Sequence, residues 1–162
     1  MNIRELSAQF AVRQLTEADI DAVYALSCGN EIFYRYHPPF VTKESIREDM
    51  EALPEGKSYA DKLYLGYFDD SQLVAVMDLI TNYPEAGTAF IGLFMMASQY
   101  QGRGFGSSII GECISCLQKE GFQYIQLGTD KDNPQSNGFW EKNGFRQIRQ
   151  RNGYLIRQRK IT

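Results

Sequence analysis

The chain has 162 residues, 43% of them apolar, and a formal charge of −3. That length fits one domain, 1–162, burying about two-thirds of its unfolded surface, and the apolar share excludes a disordered chain. The acidic balance gives no general electrostatic reason to bind nucleic acid or a membrane. No apolar run approaches the roughly 20 residues that span a bilayer, and Met1 to Phe10 lacks a signal-peptide core, so a soluble cytoplasmic protein is expected.

Taken in order, Phe10 to Leu15 reads as a first strand. Thr16 with Asp19 has the pattern of a helix start, and Ile20, Val23, Tyr24 and Leu26 carry a helix to Cys28-Gly29. Asn30 to Phe40 is aromatic and reads as loop where it reaches His37-Pro38-Pro39, because proline restricts itself and its predecessor. Thr42 then opens a short acidic helix, Lys43 to Leu53, closed by Pro54 and Gly56. Strands follow at Tyr59 to Phe68 and Leu73 to Thr81, joined by a hairpin turn at Asp69-Asp70-Ser71-Gln72. The turn Tyr83 to Gly87 leads into a strand from Thr88 to Met96.

A polar, glycine-rich turn breaks that apolar run, and helical spacing resumes with Ile110, Cys113, Ile114 and Leu117 at i, i+3, i+4 and i+7. Gly121 closes this helix as a C-cap. Tyr124 to Thr129 is the next strand, Ser136 to Asn143 a short helix ended by Gly144, and Phe145 to Gln150 a strand. Asn152-Gly153 is a strong two-residue hairpin signal, returning through Tyr154 to Arg159. The order β-α-α-β-β-β-α-β-α-β-β implies an α+β fold: a mixed, mostly antiparallel seven-stranded sheet flanked by about four helices.

Cys113 and Cys116 form a C-x-x-C inside the long helix, with no second ligand pair and His37 as the single histidine. They are expected to serve packing, Cys113 on the buried face and Cys116 on the flank, with no metal site. The C-terminal arginines 146, 149, 151, 157 and 159, with Lys160, fall on two hairpin strands whose alternate residues face solvent. A solvated sheet face is expected of them, in preference to a nucleic-acid surface.

The turn Gly102-Arg103-Gly104-Phe105-Gly106 lets backbone approach a ligand, and the helix behind it adds free amides and a positive dipole end. It has neither the Lys-Ser/Thr pair of a P-loop nor G-x-G-x-x-G spacing. It resembles the Gln/Arg-x-x-Gly-x-Gly/Ala pyrophosphate loop of the GNAT superfamily of acetyl-CoA-dependent N-acetyltransferases, with Gln101, Gly104 and Gly106 on the pattern. A second block, Asn133 through Ser136, Phe139 and Trp140 to Gly144-Phe145, resembles the same family's Asn-x-x-Ala/Ser-x-x-aromatic-Tyr-Glu-Lys-x-Gly-Phe stretch. The element order is also that of the family.

The resemblance implies acetyl-CoA as co-substrate, held by Gln101, Gly102, Arg103, Gly104, Phe105, Gly106 and the amides of Ser107 and Ser108. Arg103 would add positive charge, or stand as an exposed arginine on a turn. Phe94 and Met96 would pair with the pantetheine arm through their backbone, Asn133 would face that arm, and Ser136 and Phe139 would line the cofactor. The acceptor is expected to be a primary amine of a small molecule or peptide, over a pocket built from Glu31, Phe33, Tyr34, Tyr36 and His37, unless those aromatics serve packing. A homodimer through the C-terminal strands follows only by family analogy.

Trp140 departs from the family, which often has there a tyrosine that protonates the leaving thiolate. An indole N–H does not ionise usefully, so the proton must come from Ser136, another tyrosine or water; otherwise the chain is an acyl-CoA-binding module without turnover. For the base, Asp78 stands in the apolar run Val74 to Ile80, where a raised pKa is expected. Its alternatives are a solvent-facing strand position or a partner for a basic neighbour. His37, as an imidazole, is a second candidate but lies beside two prolines.

Overall fold

The computed structural model covers residues 1–162. Its elements are β1 (Ala11–Gln14), α1 (Ile20–Cys28), α2 (Glu31–Tyr36), α3 (Lys43–Glu51), β2 (Lys62–Asp69), β3 (Gln72–Thr81), β4 (Thr88–Met96), α4 (Phe105–Lys119), β5 (Tyr124–Asp130), α5 (Pro134–Lys142), β6 (Arg146–Arg151) and β7 (Tyr154–Lys160). The strands form one seven-stranded sheet in the order β1-β2-β3-β4-β5-β7-β6. Every pairing is antiparallel except β4 with β5, which the α4 crossover makes parallel.

Local chemistry sets the boundaries. The Ser45 amide donates to the Thr42 hydroxyl (3.0 Å) and caps α3. The turn Asn152-Gly153 has φ of 49° and 83° at its two residues, the primed geometry that suits the strand twist. One face of the sheet buries Ile109, Ile110, Cys113 and Leu117 of α4 against Leu65, Met77, Ile125 and Leu127. The other face buries Val23 and Leu26 of α1 and Ile46 of α3 against Tyr64 and Val76.

Several expectations need correction. His37 to Pro39 is loop as expected, but the aromatic stretch before it winds into a helix, Glu31–Tyr36, giving five helices where about four were expected. Proline restrains only the residues adjoining it, which leaves the six before His37 free to wind. Tyr59–Asp61 is a 3-10 turn, so β2 starts at Lys62. Helix α4 starts at Phe105, two residues before Ser107, with Gly104 as its cap. Cys116 lies in the core with Cys113 and not on a flank.

Arg157 is buried as well, at 3% exposure, among the basic residues expected to be solvated. Its guanidinium donates to the Phe145 carbonyl (3.2 Å), Asn137 Oδ1 (3.1 Å) and Glu141 Oε1 (3.1 Å), tying β7 to α5 and the start of β6. Removing it takes a donor from the buried Phe145 carbonyl and leaves Asn137 Oδ1 with the Thr129 hydroxyl alone. Arg157→Ala is therefore expected to lower stability by about 2 kcal/mol in urea denaturation, and an unchanged midpoint would show that these contacts fasten nothing.

The sheet opens at its centre. β4 and β5 pair only from Thr88↔Tyr124 to Ile91↔Leu127, although β4 runs on to Met96 and β5 to Asp130. At the same level the β3–β4 register jumps from Leu79↔Ile91 to Asp78↔Leu93, so Gly92 is the extra residue of a bulge. A Cβ on Gly92 would sit 2.7 Å from Asp78 Oδ2, so only glycine lets this carboxylate lie against the strand.

Candidate active site

Two cavities flank the splayed end of β4. One, of about 350 Å³, lies between β4, the turn before α4 and the start of α5. The other, of about 570 Å³, is ringed by α2, α3, the middle of the sheet and the β6–β7 hairpin. Phe33, Phe94, Ser136 and Trp140 line both, so the two meet at Phe94.

In the first cavity the turn into α4 forms an anion cradle. Gly102 (φ 70°) and Gly104 (φ 82°) take the left-handed conformation that favours glycine. The first helical bond is Ser108 N–H to the Gly104 carbonyl (3.1 Å). The amides from Gly102 to Ser107 therefore have no protein acceptor, and the positive end of a 15-residue helix stands behind them. This donor set fits a pyrophosphate.

Gln101 lines this cavity and also fastens the end of β4. Its side-chain amide donates to the Met96 carbonyl (3.0 Å) and to Asn30 Oδ1 (2.9 Å), and Asn30 Nδ2 donates to the same carbonyl (3.0 Å). The Ala97 amide bonds Val74 of β3 (2.8 Å), so strand alternation turns the backbone of Phe94 and Met96 toward the side β5 has vacated. With the Met96 carbonyl occupied, the groups free to pair with an extended ligand are the Met96 N–H and both Phe94 groups.

Asn133, 1% exposed, caps α5 by accepting from the Ser136 amide (3.2 Å), which fixes Ser136 at the junction of the cavities. The Phe139 ring stacks on Phe94 with centroids 5.9 Å apart, and its edge lies 3.2 Å from where a Cβ on Gly106 would be. Trp140 is buried edge-on among Phe94, Phe139 and Phe145, with centroids at 6.0, 4.9 and 5.0 Å. Arg103 and Phe105 do not line the cavity. Phe105 packs on Phe10 and Tyr100, and the exposed Arg103 guanidinium stacks over Phe105 at 4.8 Å.

The second cavity takes Phe33 and His37, an i, i+4 pair at the end of α2, together with the neighbouring Tyr34. Glu31 and Tyr36 do not line it, which corrects the expected pocket. His37 Nδ1 lies 3.2 Å from Asp130 Oδ1 and ties the end of α2 to β5. Asp78 pairs with Lys62, whose Nζ is 3.0 and 3.1 Å from its two oxygens and whose side chain is 3% exposed. Burial nonetheless holds the Asp78 carboxyl above the ordinary carboxylate range, with Lys62 offsetting part of the rise.

Asp49 and Tyr64, which the sequence reading passed over, also line this cavity, and Asn30 lines the first. Asp49 stays open to solvent, yet enclosure on the cavity side and repulsion from Asp78 raise its pKa. Tyr64 lies directly across from Asp78 in the β2–β3 register, and burial pushes its phenol well above its usual value. Ser45, Asp49 and Ala52, at i, i+4 and i+7, all face the cavity, and that stripe was visible in the sequence.

A family model described as the acetyltransferase (GNAT) family matches residues 29–145, which span the cradle, the splayed strand and the α5 block. The chain belongs to the GNAT family. Solved acetyltransferase structures share its fold at low identity. An acetyltransferase from Thermus thermophilus superposes with a TM-score of 0.80 at 19% identity, covering 94% of this chain and 97% of that one. A PaiA N-acetyltransferase from Thermoplasma acidophilum, in complex with coenzyme A, gives 0.72 at 22% identity over 93% and 98%. The ribosomal-protein-S18-alanine N-acetyltransferase of Escherichia coli gives 0.65 at 16% identity over 94% of each. No curated protein sequence matches. No helix of this GNAT chain is long and apolar enough to cross a membrane.

Proposed function

We propose that the protein transfers an acetyl group from acetyl-CoA to a primary amine by direct attack in a ternary complex. The observation that carries this is the meeting of the two cavities at Phe94, with the amide cradle of Gly102 to Ser107 closing one and titratable side chains lining the other. When bound, acetyl-CoA supplies a thioester carbon that the amine nitrogen attacks; the C–S bond breaks, and an amide and a free thiol result.

The chain's part is binding and proton traffic. The cradle holds the pyrophosphate, and the open backbone of Phe94 and Met96 aligns the pantetheine arm like an added strand. Phe94 lines both cavities, and its free N–H would be the donor available to polarise a thioester carbonyl held between them. Asp78, beside the bulge, accepts the proton that the amine must lose, and its raised pKa suits that task. Ser136 or water returns a proton to the thiolate, since Trp140 cannot; a model thiol near 8.5 makes that step easy.

Calorimetric titration with acetyl-CoA, with dephospho-CoA as control, tests the first half of the reading. Micromolar binding is expected, followed by turnover in an amine screen. Absence of binding would overturn it. Trp140 keeps one other reading in play, a module that binds acetyl-CoA without turnover. Binding without acetylation of any amine, unchanged in Trp140→Tyr, would establish that reading.

A further inference from the structure

Three aspartates line the second cavity, and two are engaged: Asp78 by Lys62 and Asp130 by His37. Asp49 receives no hydrogen bond or salt bridge from any side chain. Tyr64 also lines this cavity; the residue is 2% exposed, and its buried hydroxyl has no hydrogen-bond partner. A buried hydroxyl without a partner is costly, and a ligand's N–H offered to it would relieve that. Arg151, the other cation on the wall, stands on the β6–β7 hairpin and bonds neither group.

These groups stand in sequence outward from the reaction point. Asp78 lies against the bulge of β4, Tyr64 is opposite it one strand further out, and Asp49 comes from α3 packed over that strand. A carboxylate and a hydroxyl, both able to accept, are thus set about two strand spacings, roughly 10 Å, from Phe94. Nothing in the transfer chemistry uses them. They suit a positive charge at the far end of a short molecule, and the ring of α2, α3 and the hairpin around the cavity favours a small molecule over a protein segment.

We infer that the acceptor is a small amine carrying a second cationic nitrogen, which binds Asp49 and the Tyr64 hydroxyl while the reacting nitrogen faces Phe94. This rests on the acetyl-transfer reading, and Asp49 and Tyr64 enter it as specificity residues that touch the acceptor away from the reacting atoms. The first nitrogen loses its proton before attack; the second stays protonated and is unchanged by the reaction.

The test compares 1,4-diaminobutane with butylamine, which differ only in the second charge. Both are titrated calorimetrically into the protein with and without saturating CoA, and both are assayed for acetylation. The diamine is expected to bind, and to be acetylated by kcat/KM, at least tenfold better. That preference should vanish in Asp49→Asn and shrink in Tyr64→Phe, with acetyl-CoA affinity unchanged in both. Equal affinity for the two amines, a preference that survives Asp49→Asn, or efficient acetylation of a peptide terminus unaffected by Asp49→Asn would overturn the inference. Failure of acetyl-CoA to bind, or of either amine to be acetylated, would strike the acetyl-transfer reading separately, because amine selectivity is read by calorimetry without turnover.

Discussion

Gly104→Glu is expected to weaken acetyl-CoA binding by about 100-fold or more, which is about 2.7 kcal/mol, and to leave the protein folded. Gly104 caps α4 at φ 82°, and a Cβ there would meet nothing within 4 Å. The substitution therefore adds only the backbone cost of an L-residue in the left-handed region, about 1–2 kcal/mol. Part of that returns, because a carboxylate at the helix start is favoured by the dipole and can accept from the free amides of Gly102 to Ser107. The same carboxylate then occupies the cradle and repels a pyrophosphate. Gly104→Ala carries the backbone cost without the charge and should retain most of the affinity. Isothermal titration of both variants separates the two effects. Undiminished binding by Gly104→Glu would mean that the phosphates of the cofactor lie somewhere else.

What could be read from the sequence was what neighbouring residues encode among themselves. The Asn152-Gly153 hairpin, the capped α3 and the strand–glycine turn–helix around Gly104 depend on residues a few positions apart, and their geometry follows from φ preferences and helical spacing. The seven strands and their mixed pairing followed from the same local signals. Side-chain direction did not follow. Gln101 stands on the loop pattern, yet its amide holds the Met96 carbonyl, 3.0 Å away, because the 3-10 turn Ser98–Tyr100 folds it back onto β4. Phe105 opens α4 and so turns its ring toward Phe10, away from the cradle.

Burial of charge was the least legible feature. Alternation along β7 gave no reason to expect that Arg157 would lie under α5, since that depends on how α5 docks. Asp49 was an acidic residue on an acidic helix until α3 packed over β2 and set it beside Tyr64. Asp78 was the exception. A carboxylate in an apolar strand stood out by itself, and both the raised pKa and the basic partner weighed against each other in the sequence are present together.

That double character of Asp78 leads to the second large effect. If Asp78 takes the proton from the acceptor, Asp78→Asn should lower kcat about 100-fold and leave acetyl-CoA affinity unchanged, because the residue lies on the far side of β4's bulge from the cradle. The working form is the carboxylate, so activity falls as pH drops through its pKa. Burial raises that pKa, which places the acidic limb of the kcat profile above the ordinary carboxylate range. Lys62 is the cause acting downward. Lys62→Met, similar in volume at a buried site, removes that cause and should move the limb to higher pH, whereas Asp78→Asn should abolish it. A profile that keeps its acidic limb in Asp78→Asn, with kcat near wild type, would remove Asp78 from the reaction. The proton would then pass to His37 or to water, and kcat of His37→Gln would tell the two apart.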